Sequence, residues 1–536
     1  MKKALISVTN KVGLVEFGEG LAGQGFEILS TGGTARVLKE AGVPVTEVAD
    51  YTGFKEMMDG RVKTLHPKVH AGILGVRSNP EHSAAMTEHG ISPIDIVVVN
   101  LYRFEEEVAK TGTTREQAIE QIDIGGPAMI RSAAKNHRFV TVVVDPNDYA
   151  GVLAELKAEG SVGEATRGRL ASKAIYYTAC YDLAIARYLS GGMYEGFVGE
   201  LVRKLRYGEN PHQVNAALYL DPTARAHPLA PDKFVLVGGD GPSYINETDL
   251  DRLLTTAMRI AVGMEWNFGE TLYMALAVKH GNVCGVGVAG DDPISAVQKM
   301  VLSDPTSLSG GVVLLNFEVD DVVADFLRHA DTETARVLDT VIAPAFTDEA
   351  RQTLDRKNQK CRMFANEALR DLFSIGLDTS PQYRQVWGGF LKQDPNLFVL
   401  DIPNDWGAPL TERQQCDLVI AWAVGATANS NTIVLVHDGY LLGRGVAQPS
   451  RVLACKVALL HARENGHGDK LPECIAYSDS FFPFEDGPTV LAEAGVKTIF
   501  ATSGSVRDAE VREACERLGV MLLQLPDKEA RGFFAH

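Results

Sequence analysis

The hydrophobic pattern of the first 150 residues alternates short apolar runs with segments of helical spacing. The segment 94–101, IDIVVVNL, is almost continuously apolar, which is typical of a parallel strand covered on both faces. This alternation predicts a layered α/β domain with right-handed crossovers. Further strands are predicted at 4–8, 26–29 and 43–48, and helices at 12–21 and 34–40.

The pattern becomes helical from residue 146 to about 188, and Gly191-Gly192 then interrupts it. We therefore predict two domains, residues 1–195 and 200–536, with the boundary near 190–203. The second region is large for one hydrophobic core, so we expect two α/β subdomains with a site between them. No repeat with a period of 20–50 residues is evident. Within this region strands are predicted at 272–278, 312–315, 341–343, 432–436 and 498–501, and helices at 249–262, 321–329, 412–423, 451–462 and 508–518.

Composition narrows the class of protein. The formal net charge of −17 argues against partners such as nucleic acid or an anionic membrane surface. Seven scattered cysteines without a C-x-x-C pair indicate reduced thiols rather than disulfides or a structural zinc site. No stretch approaches the ~18 apolar residues that span a bilayer, and the apolar run after Met-Lys-Lys is too short for a signal peptide. We therefore expect a cytoplasmic protein.

Two polar segments of the first domain are candidates for binding an anion. The turn at 30–34, Ser-Thr-Gly-Gly-Thr, follows a predicted strand and opens a helix, so it is either a phosphate cradle or an ordinary cap. The segment 61–70 places five potentially cationic side chains in ten residues of an acidic protein. A phosphate-bearing substrate would explain that concentration, and a solvated loop is the alternative.

Two further segments point polar groups at the same predicted sheet edge, where ligands collect in open α/β sheets. Asn100 and Tyr102 end the apolar strand, and the segment 123–127 begins a helix. That helix carries Arg131 and Lys135 on one face, because they are four residues apart. Helix capping and a surface ion pair are the alternative interpretation of this group.

In the second region, Lys279-His280 follows a predicted strand. Adjacent strand residues point to opposite faces, so the two must lie at the strand end to act together. Imidazole is a natural base for an amine nucleophile, and an ammonium group stabilises an oxyanion. For the dipeptide alone, an ordinary surface pair remains the alternative. A zinc pair of His280 with Cys284 is rejected because two further ligands at usable spacing are not evident.

Residues 478–484, Ser-Asp-Ser-Phe-Phe-Pro-Phe, join an acid to an apolar aromatic wall. Such a wall suits a bicyclic cofactor, and it equally suits plain core packing. The Arg-Tyr pair at 206–207 suits a phosphate and a planar ring.

The motifs together resemble those of the PurH family of bifunctional purine-biosynthesis enzymes, which join an IMP cyclohydrolase to an aminoimidazole carboxamide ribonucleotide (AICAR) transformylase. The resemblance covers nearly the whole chain. In the first domain it rests on STGGTA, GRVKTLHPKVHAGIL and QIDIGGPAMIRSAAKNH, and in the second on RYGENPHQ, VKH-x-N-x-CGV, DPTS, SDSFFPF and SGS-x-RD.

The resemblance implies a methylglyoxal-synthase-like α/β first domain that closes the purine ring of formylated AICAR (FAICAR) to give IMP, with loss of water. No metal is implied. Lys63 is expected to hold the developing oxyanion, Asp123 to orient or deprotonate the carboxamide nitrogen, and Tyr102 and Lys135 to transfer protons or hold the ring. The nucleotide site is expected to include Ser7, Lys11, Ser30, Gly33, Thr34, Arg61 and Thr64.

For the second domain the resemblance implies two cytidine-deaminase-like subdomains without zinc, and formyl transfer from 10-formyltetrahydrofolate to AICAR. His280 would be the base, Lys279 its electrostatic helper and Asn431 a donor that positions the formyl group. A homodimer is also implied, with transferase sites that take residues from both subunits. The nucleotide contacts would be Arg206, Tyr207, Asn246, Asp339, Arg451 and the closing His536, and the folate contacts Asp479, Phe481, Phe482, Pro483 and Phe484.

Some positions depart from the family's pattern. In the first domain Arg103 follows Tyr102 in place of a proline. The folate side of the second domain carries four changes, at Val283, Ser309, Ala447 and Arg531. Two alternatives therefore stay open: a cyclohydrolase whose transferase domain has lost or changed its donor, and a non-catalytic nucleotide-binding regulator.

Overall fold

In a computed structural model the chain forms two compact units, Met1–Val198 and Gly199–His536. The structure describes residues 2–58, 61–102, 104–270, 272–290, 292–330, 332, 334–355, 360–403 and 410–534. None of the helices in these ranges combines the length and the hydrophobicity that a membrane span requires.

The first unit alternates strands and helices as its hydrophobic pattern predicts. Its elements are β1 (Lys2–Ser7), α1 (Leu14–Gly23), β2 (Phe26–Ser30), α2 (Gly32–Glu40), β3 (Val45–Glu47), α3 (Val48–Thr52), α4 (Pro67–Leu74), α5 (Pro80–Glu88), β4 (Ile96–Val99), α6 (Phe104–Val108), α7 (Arg115–Glu120), α8 (Gly125–Lys135), β5 (Thr141–Val143), α9 (Tyr149–Glu159) and α10 (Glu164–Ser190).

The strands of the first unit form one parallel sheet in the order β3-β2-β1-β4-β5. Separate apolar clusters cover the two faces, which explains why every residue of β4 is buried. The carboxyl ends of β1, β2 and β4 meet at one edge, because these strands are neighbours and run in one direction. The predicted α/β architecture is therefore confirmed.

The second unit contains more elements. They are β6 (Glu200–Lys204), β7 (Ala217–Leu220), β8 (Val235–Gly238), α11 (Tyr244–Phe268), β9 (Tyr273–Lys279), β10 (Asn282–Ala289), α12 (Pro293–Ser303), β11 (Val312–Leu315), α13 (Asp321–His329), β12 (Thr340–Ala343), α14 (Asp348–Leu354), β13 (Arg362–Ala365), α15 (Leu372–Ile375), β14 (Gln382–Val386), β15 (Gly389–Gln393), α16 (Glu412–Gly425), β16 (Ile433–His437), β17 (Tyr440–Gly445), α17 (Arg451–Glu464), β18 (Ile475–Ser478), α18 (Asp486–Glu493), β19 (Thr498–Ser503), α19 (Asp508–Arg517), β20 (Met521–Pro526) and α20 (Asp527–Ala530).

Among the described residues of this unit, eleven strands form one sheet in the order β20-β19-β18-β16-β17-β10-β9-β11-β12-β13-β8. The sheet contains the same arrangement twice: a helix, an antiparallel hairpin, and three more strands each preceded by a helix. The hairpin is β9–β10 in the first half and β16–β17 in the second. The two halves join where β10 pairs with β17. The expected two subdomains thus share one continuous sheet, and the repeat is far longer than the 20–50 residues searched in the sequence.

The two halves also share a core. Helices α11 and α16 pack against each other over one face of the sheet, within a single apolar cluster. Gly263 permits this approach, because a Cβ there would lie 2.7 Å from a methyl carbon of Val419. The other face is covered by two clusters, one for each half. The halves are therefore packed together on one side and separately on the other.

Candidate active sites

At the sheet edge of the first unit, Thr34 joins the loop after β1 to the start of α2. Its Oγ1 accepts the N–H of Val8 at 3.1 Å, donates to the Val8 carbonyl at 2.9 Å and accepts the ammonium of Lys11 at 2.9 Å. Burial lowers the pKa of Lys11. Ser7 Oγ lies 3.4 Å from Thr31 Oγ1, whereas the buried Ser30 hydroxyl donates to the Ile6 carbonyl within the sheet. The turn at 30–34 thus fixes the helix N-terminus beside β1.

The loop that carries Lys63 and Thr64 reaches both helix starts at this edge. A Cβ at Gly32 would lie 3.1 Å from the Lys63 ammonium, and a Cβ at Gly125 would lie 2.7 Å from Thr64 Oγ1. The glycines of the two turns therefore leave room for these side chains. Lys63 also pairs with Glu56 at 2.8 Å. Arg61 pairs with Glu120 in an exposed contact.

Asp123 is held at the start of α8. Its Oδ1 accepts the Gly126 N–H at 2.7 Å, and its own N–H donates to Tyr181 Oη at 2.7 Å. Burial raises the pKa of Asp123, although the Gly126 N–H opposes that shift. Burial also raises the pKa of Tyr181 to about 12. Gly126 of α8 therefore binds the Asp123 carboxylate, and Tyr181 of α10 holds the Asp123 backbone.

Tyr102 lies at this edge of the sheet, whereas Lys135 lies away from it. Tyr102 follows β4 and is 51% exposed, and the N–H of its neighbour Leu101 donates to Tyr177 Oη at 3.0 Å. Lys135 is exposed in the last turn of α8, about 15 Å along the axis from Gly125 at 1.5 Å per residue. It lies at the opposite end of the helix from Asp123. Arg103 lies outside the described residues.

In the second unit, Lys279 and His280 stand at the turn between β9 and β10. Lys279 ends β9, and His280 is exposed in the following turn. His280 and Gly281 have φ values of 53° and 72°, as a two-residue type I′ hairpin requires. The Lys279 ammonium donates to the Ser309 carbonyl at 2.6 Å. Lys279 and His280 thus lie together at the strand end.

A chain of contacts connects this turn to other predicted nucleotide residues. Gly311, close after Ser309, accepts the Asp339 N–H at 3.1 Å through its carbonyl. The Asp339 carbonyl in turn accepts the guanidinium of Arg362 at 3.2 Å. Asp240 then pairs with both Arg362, at 2.6 Å, and Arg206, at 3.2 Å.

Two more of the predicted residues adjoin this chain. The Arg206 guanidinium lies 5.5 Å from the centroid of the Tyr207 ring. The Tyr207 carbonyl accepts the N–H of Tyr244, the first residue of α11. Asn246 forms the capping box of α11 with Ser243. The structure thus brings Lys279, His280, Asp339, Arg206, Tyr207 and Asn246 to one region of the second unit.

The remaining predicted residues form another group, in the second half of the sheet. Asn431 Nδ2 donates to the Gln448 carbonyl at 2.8 Å. Asp479 accepts the Thr432 N–H at 3.1 Å and pairs with Arg451. Arg451 also donates to Ser478 Oγ at 2.8 Å. This group lies around β16 and β18, whereas His280 lies in the turn between β9 and β10.

The residues expected to face folate differ in exposure. Asp479 is fully buried and Phe482 is 2% exposed, whereas Phe484 is 50% exposed beneath the Arg507 guanidinium, 4.9 Å from its ring centroid. Phe481 is half-buried and Pro483 exposed. Only part of the wall therefore faces outward in this chain, and His536 lies outside the described residues.

Replacement of Asp479 by alanine is expected to destabilise the second unit by about 3–5 kcal/mol, because it leaves the buried Arg451 guanidinium without a counter-charge. Chemical denaturation followed by fluorescence measures the effect. Glu473→Ala removes the partner of Arg413 from an exposed pair, so it should cost about 0–1 kcal/mol. Equal effects of the two changes would contradict a supporting role for Asp479.

Comparison with known proteins decides the family. A family model described as "AICARFT/IMPCHase bienzyme" matches residues 133–461, and one described as "MGS-like domain" matches residues 13–128. The chain belongs to the AICARFT/IMPCHase bienzyme family. Two relatives named "Bifunctional purine biosynthesis protein PurH" are each 42% identical. The protein from Paracoccus denitrificans aligns over 98% of this chain and 97% of its own length, and that from Anoxybacillus flavithermus over 97% and 98%.

A solved structure titled "Crystal structure of ForH" is 34% identical and covers 36% of this chain and 100% of its own, with a TM-score of 0.34.

For this bienzyme, the predicted activities of AICAR formyltransferase and IMP cyclohydrolase in purine biosynthesis are confirmed at the level of the family. The predicted methylglyoxal-synthase-like first domain is confirmed as well. No finding supports a non-catalytic regulator.

Residues beyond the predicted contacts also shape the bienzyme's two sites. Asn100 Oδ1 accepts the N–H groups of Thr9 and Asn10, at 2.6 and 2.9 Å, and so fixes the loop that carries Lys11. The sequence had already indicated Asn100, by its place at the end of a buried strand, although not this supporting role. Arg362 and Asp240 gave no such signal, because their contacts join segments far apart in the chain.

Proposed function

We propose that the two reactions are divided between the two domains, with ring closure in residues 1–195 and formyl transfer in residues 200–536. The observation that carries this proposal is the Lys279–His280 turn, where a bound ammonium and an exposed imidazole stand together at a strand end. Contacts link this turn to Arg206 and Asp339, which supports the binding beside it of a substrate that carries a phosphate and a ribose.

In the transferase reaction the amine of AICAR attacks the formyl carbon of 10-formyltetrahydrofolate. The His280 imidazole takes the proton that the amine loses, and the Lys279 ammonium stabilises the tetrahedral oxyanion. Collapse of that intermediate breaks the bond to folate nitrogen, which receives a proton and leaves as tetrahydrofolate. FAICAR remains. The cytidine-deaminase-like character of the two halves is part of this proposal and is supported by their repeated helix–hairpin–strand arrangement.

In the cyclohydrolase reaction the carboxamide nitrogen of FAICAR attacks its own formyl carbon, and water leaves. Most of the acceleration comes from holding two groups of one molecule together and from stabilising developing charge. Lys63 stabilises the oxyanion, and Asp123 accepts a proton from nitrogen, as its raised pKa favours. Tyr102 holds the ring or moves protons, whereas Lys135 lies about 15 Å along α8 from Gly125 and does not adjoin Asp123 within this subunit. The turn at 30–34, with Ser7, Lys11, Arg61 and Thr64, receives the phosphate.

Formation of a homodimer is part of the same proposal. Asn431 lies before β16, in the half of the sheet that does not carry His280. A second subunit would contribute residues of its own to each transferase site. The cytoplasmic location stays a prediction.

An assay of AICAR with 10-formyltetrahydrofolate, followed at the folate absorbance, tests the proposed donor. We expect turnover that depends on both compounds. A chain that cyclises FAICAR but releases no tetrahydrofolate would instead be a cyclohydrolase with an impaired or altered donor site, as the changes at Val283, Ser309, Ala447 and Arg531 allow. If calorimetry detects AICAR binding but neither formyl transfer nor cyclisation occurs, both the bifunctional enzyme and the cyclohydrolase with an altered donor site would be contradicted.

Asp123→Asn is expected to lower cyclisation about 10²–10⁴-fold, the range for loss of a general base. Because burial raises the pKa of Asp123, wild-type cyclisation should fall as pH drops through a value above 3.8. The protonated form is favoured by folding, so the buried charge opposes stability near neutral pH and the variant should melt no lower than wild type. Initial rates from pH 4 to 8 and thermal melting measure both effects. A variant with wild-type rates would exclude Asp123 as the base.

A further inference from the structure

The buried carboxylate of Asp249, on α11, contacts the turn that carries His280. Asp249 is 3% exposed, and its Oδ1 accepts the N–H of Gly281 at 2.6 Å. Burial raises the pKa of Asp249, whereas the N–H groups of Gly281 and His280 act in the opposite direction. The carboxylate therefore binds the backbone of the turn from helix α11.

The conformation of this turn needs such support. His280 adopts a left-handed φ of 53°, which is unfavourable for a residue with a Cβ. Hydrogen bonds from backbone N–H groups to a carboxylate are stronger than those to a neutral acceptor. Asp249 thus offsets the cost of the conformation that presents the imidazole.

The second half of the sheet also has a helix carboxylate that binds the N–H groups of a hairpin turn, but that turn carries no imidazole. Asp417 on α16 accepts the N–H of Gly439 at 2.7 Å and that of Asp438 at 3.0 Å. Asp438 and Gly439 have φ values of 49° and 77°, and they form the turn between β16 and β17. Asp438 stands where the first half has His280. The supporting carboxylate is therefore a repeated structural element, and only one copy lies beneath a reactive side chain.

We propose that Asp249 is a positioning residue of the formyltransferase, which holds the His280 imidazole in place through the turn backbone. This rests on the proposed role of His280 as the base. A displacement of about 1 Å at a reacting group can cost 10²-fold in rate. The nucleotide contacts at Arg206 and Asp339 do not pass through Asp249, so substrate binding should change little.

The test compares Asp249→Ala and Asp249→Asn with the matched variants Asp417→Ala and Asp417→Asn. Asp249→Ala should lower kcat for formyl transfer about 10²-fold, with KM for AICAR within roughly threefold of wild type. Asp249→Asn keeps one acceptor oxygen and should recover part of kcat. The Asp417 variants should lower the melting temperature by as much as the corresponding Asp249 variants, but they should keep the wild-type kcat for formyl transfer. Cyclisation of supplied FAICAR should be normal in all four.

Two results would overturn the proposal. An Asp249→Ala enzyme with wild-type kcat would show that the turn needs no support for catalysis. Equal losses of transfer in the Asp249 and Asp417 variants would show a general effect on folding. If Asp249→Ala fails to fold, Asp249→Asn decides: a kcat below that of wild type supports the proposal, and a wild-type kcat overturns it. Failure of the proposed function is separate, since a His280→Ala enzyme would then retain transfer in the same assay.

Discussion

His280→Ala is expected to abolish formyl transfer from 10-formyltetrahydrofolate, while cyclisation of supplied FAICAR continues at the wild-type rate. Loss of a general acid–base group typically costs about 10²–10⁴-fold. The imidazole is exposed at the end of β9, next to an ammonium that the Ser309 carbonyl holds at 2.6 Å. Ring closure needs neither group if it is carried out in the first unit. Initial rates with each substrate supplied separately measure the two activities.

The left-handed conformation of residue 280 requires a matched control. Alanine tolerates a φ of 53° less well than histidine, so the substitution also strains the turn. Asp438→Ala introduces the same strain at a φ of 49° in the equivalent turn. We expect it to keep both activities. His280→Asn adds a side chain that tolerates the left-handed region but carries no base. Transfer by either His280 variant would rule out the imidazole as the base.

Lys63→Ala is expected to have the opposite effect and to lower cyclisation about 10²–10³-fold, as loss of one oxyanion donor does. Its ammonium lies next to the start of α2, 3.1 Å from the position that a Cβ at Gly32 would occupy. Its side chain is 27% exposed, and a substrate anion would compete with the Glu56 carboxylate for the ammonium. Formyl transfer should be unaffected, so FAICAR should accumulate when AICAR and 10-formyltetrahydrofolate are supplied. Separation of the products by chromatography shows this directly.

Lys39→Ala serves as the control for charge in the first unit. Lys39 lies on α2 and pairs with Glu47 in an exposed contact. Its removal changes the net charge by the same amount, and it should leave cyclisation within twofold of wild type, as expected of surface changes. If Lys63→Ala also stopped formyl transfer in a folded protein, one shared site would replace the two-site proposal.

Much of the architecture was predictable because it is local. The apolar segment 94–101 contains the buried strand β4, and the periodicity at 321–329 and 312–315 gave α13 and β11 with the observed ends. Period and length decide such elements without long-range information. The repeat of the second unit was not predictable in this way. Its halves share an order of elements and not a short sequence period, and their union into one sheet depends on β10 pairing with β17.

The site residues divide in a similar way. Motifs placed Lys63, Asp123 and His280 at turns after strands or before helices, where neighbouring residues determine the backbone. The partners of these residues come from distant segments: Tyr181 reaches Asp123 from α10, and Asp249 reaches the His280 turn from α11. Sequence spacing carries no information about such contacts, because they depend on how the helices pack.

By itself, the sequence determined the α/β alternation, part of the strands and helices, and the family whose motifs the chain carries. It also determined which side chains are chemically suited to the two reactions. The tertiary structure decided how those side chains are held. It buried Asp479 and Arg451 as a pair beneath the Asn431 segment, and it placed a carboxylate under each of two related turns. The physical reason is that burial and hydrogen-bond partners depend on long-range packing, whereas helix and strand periodicity depend on neighbours along the chain.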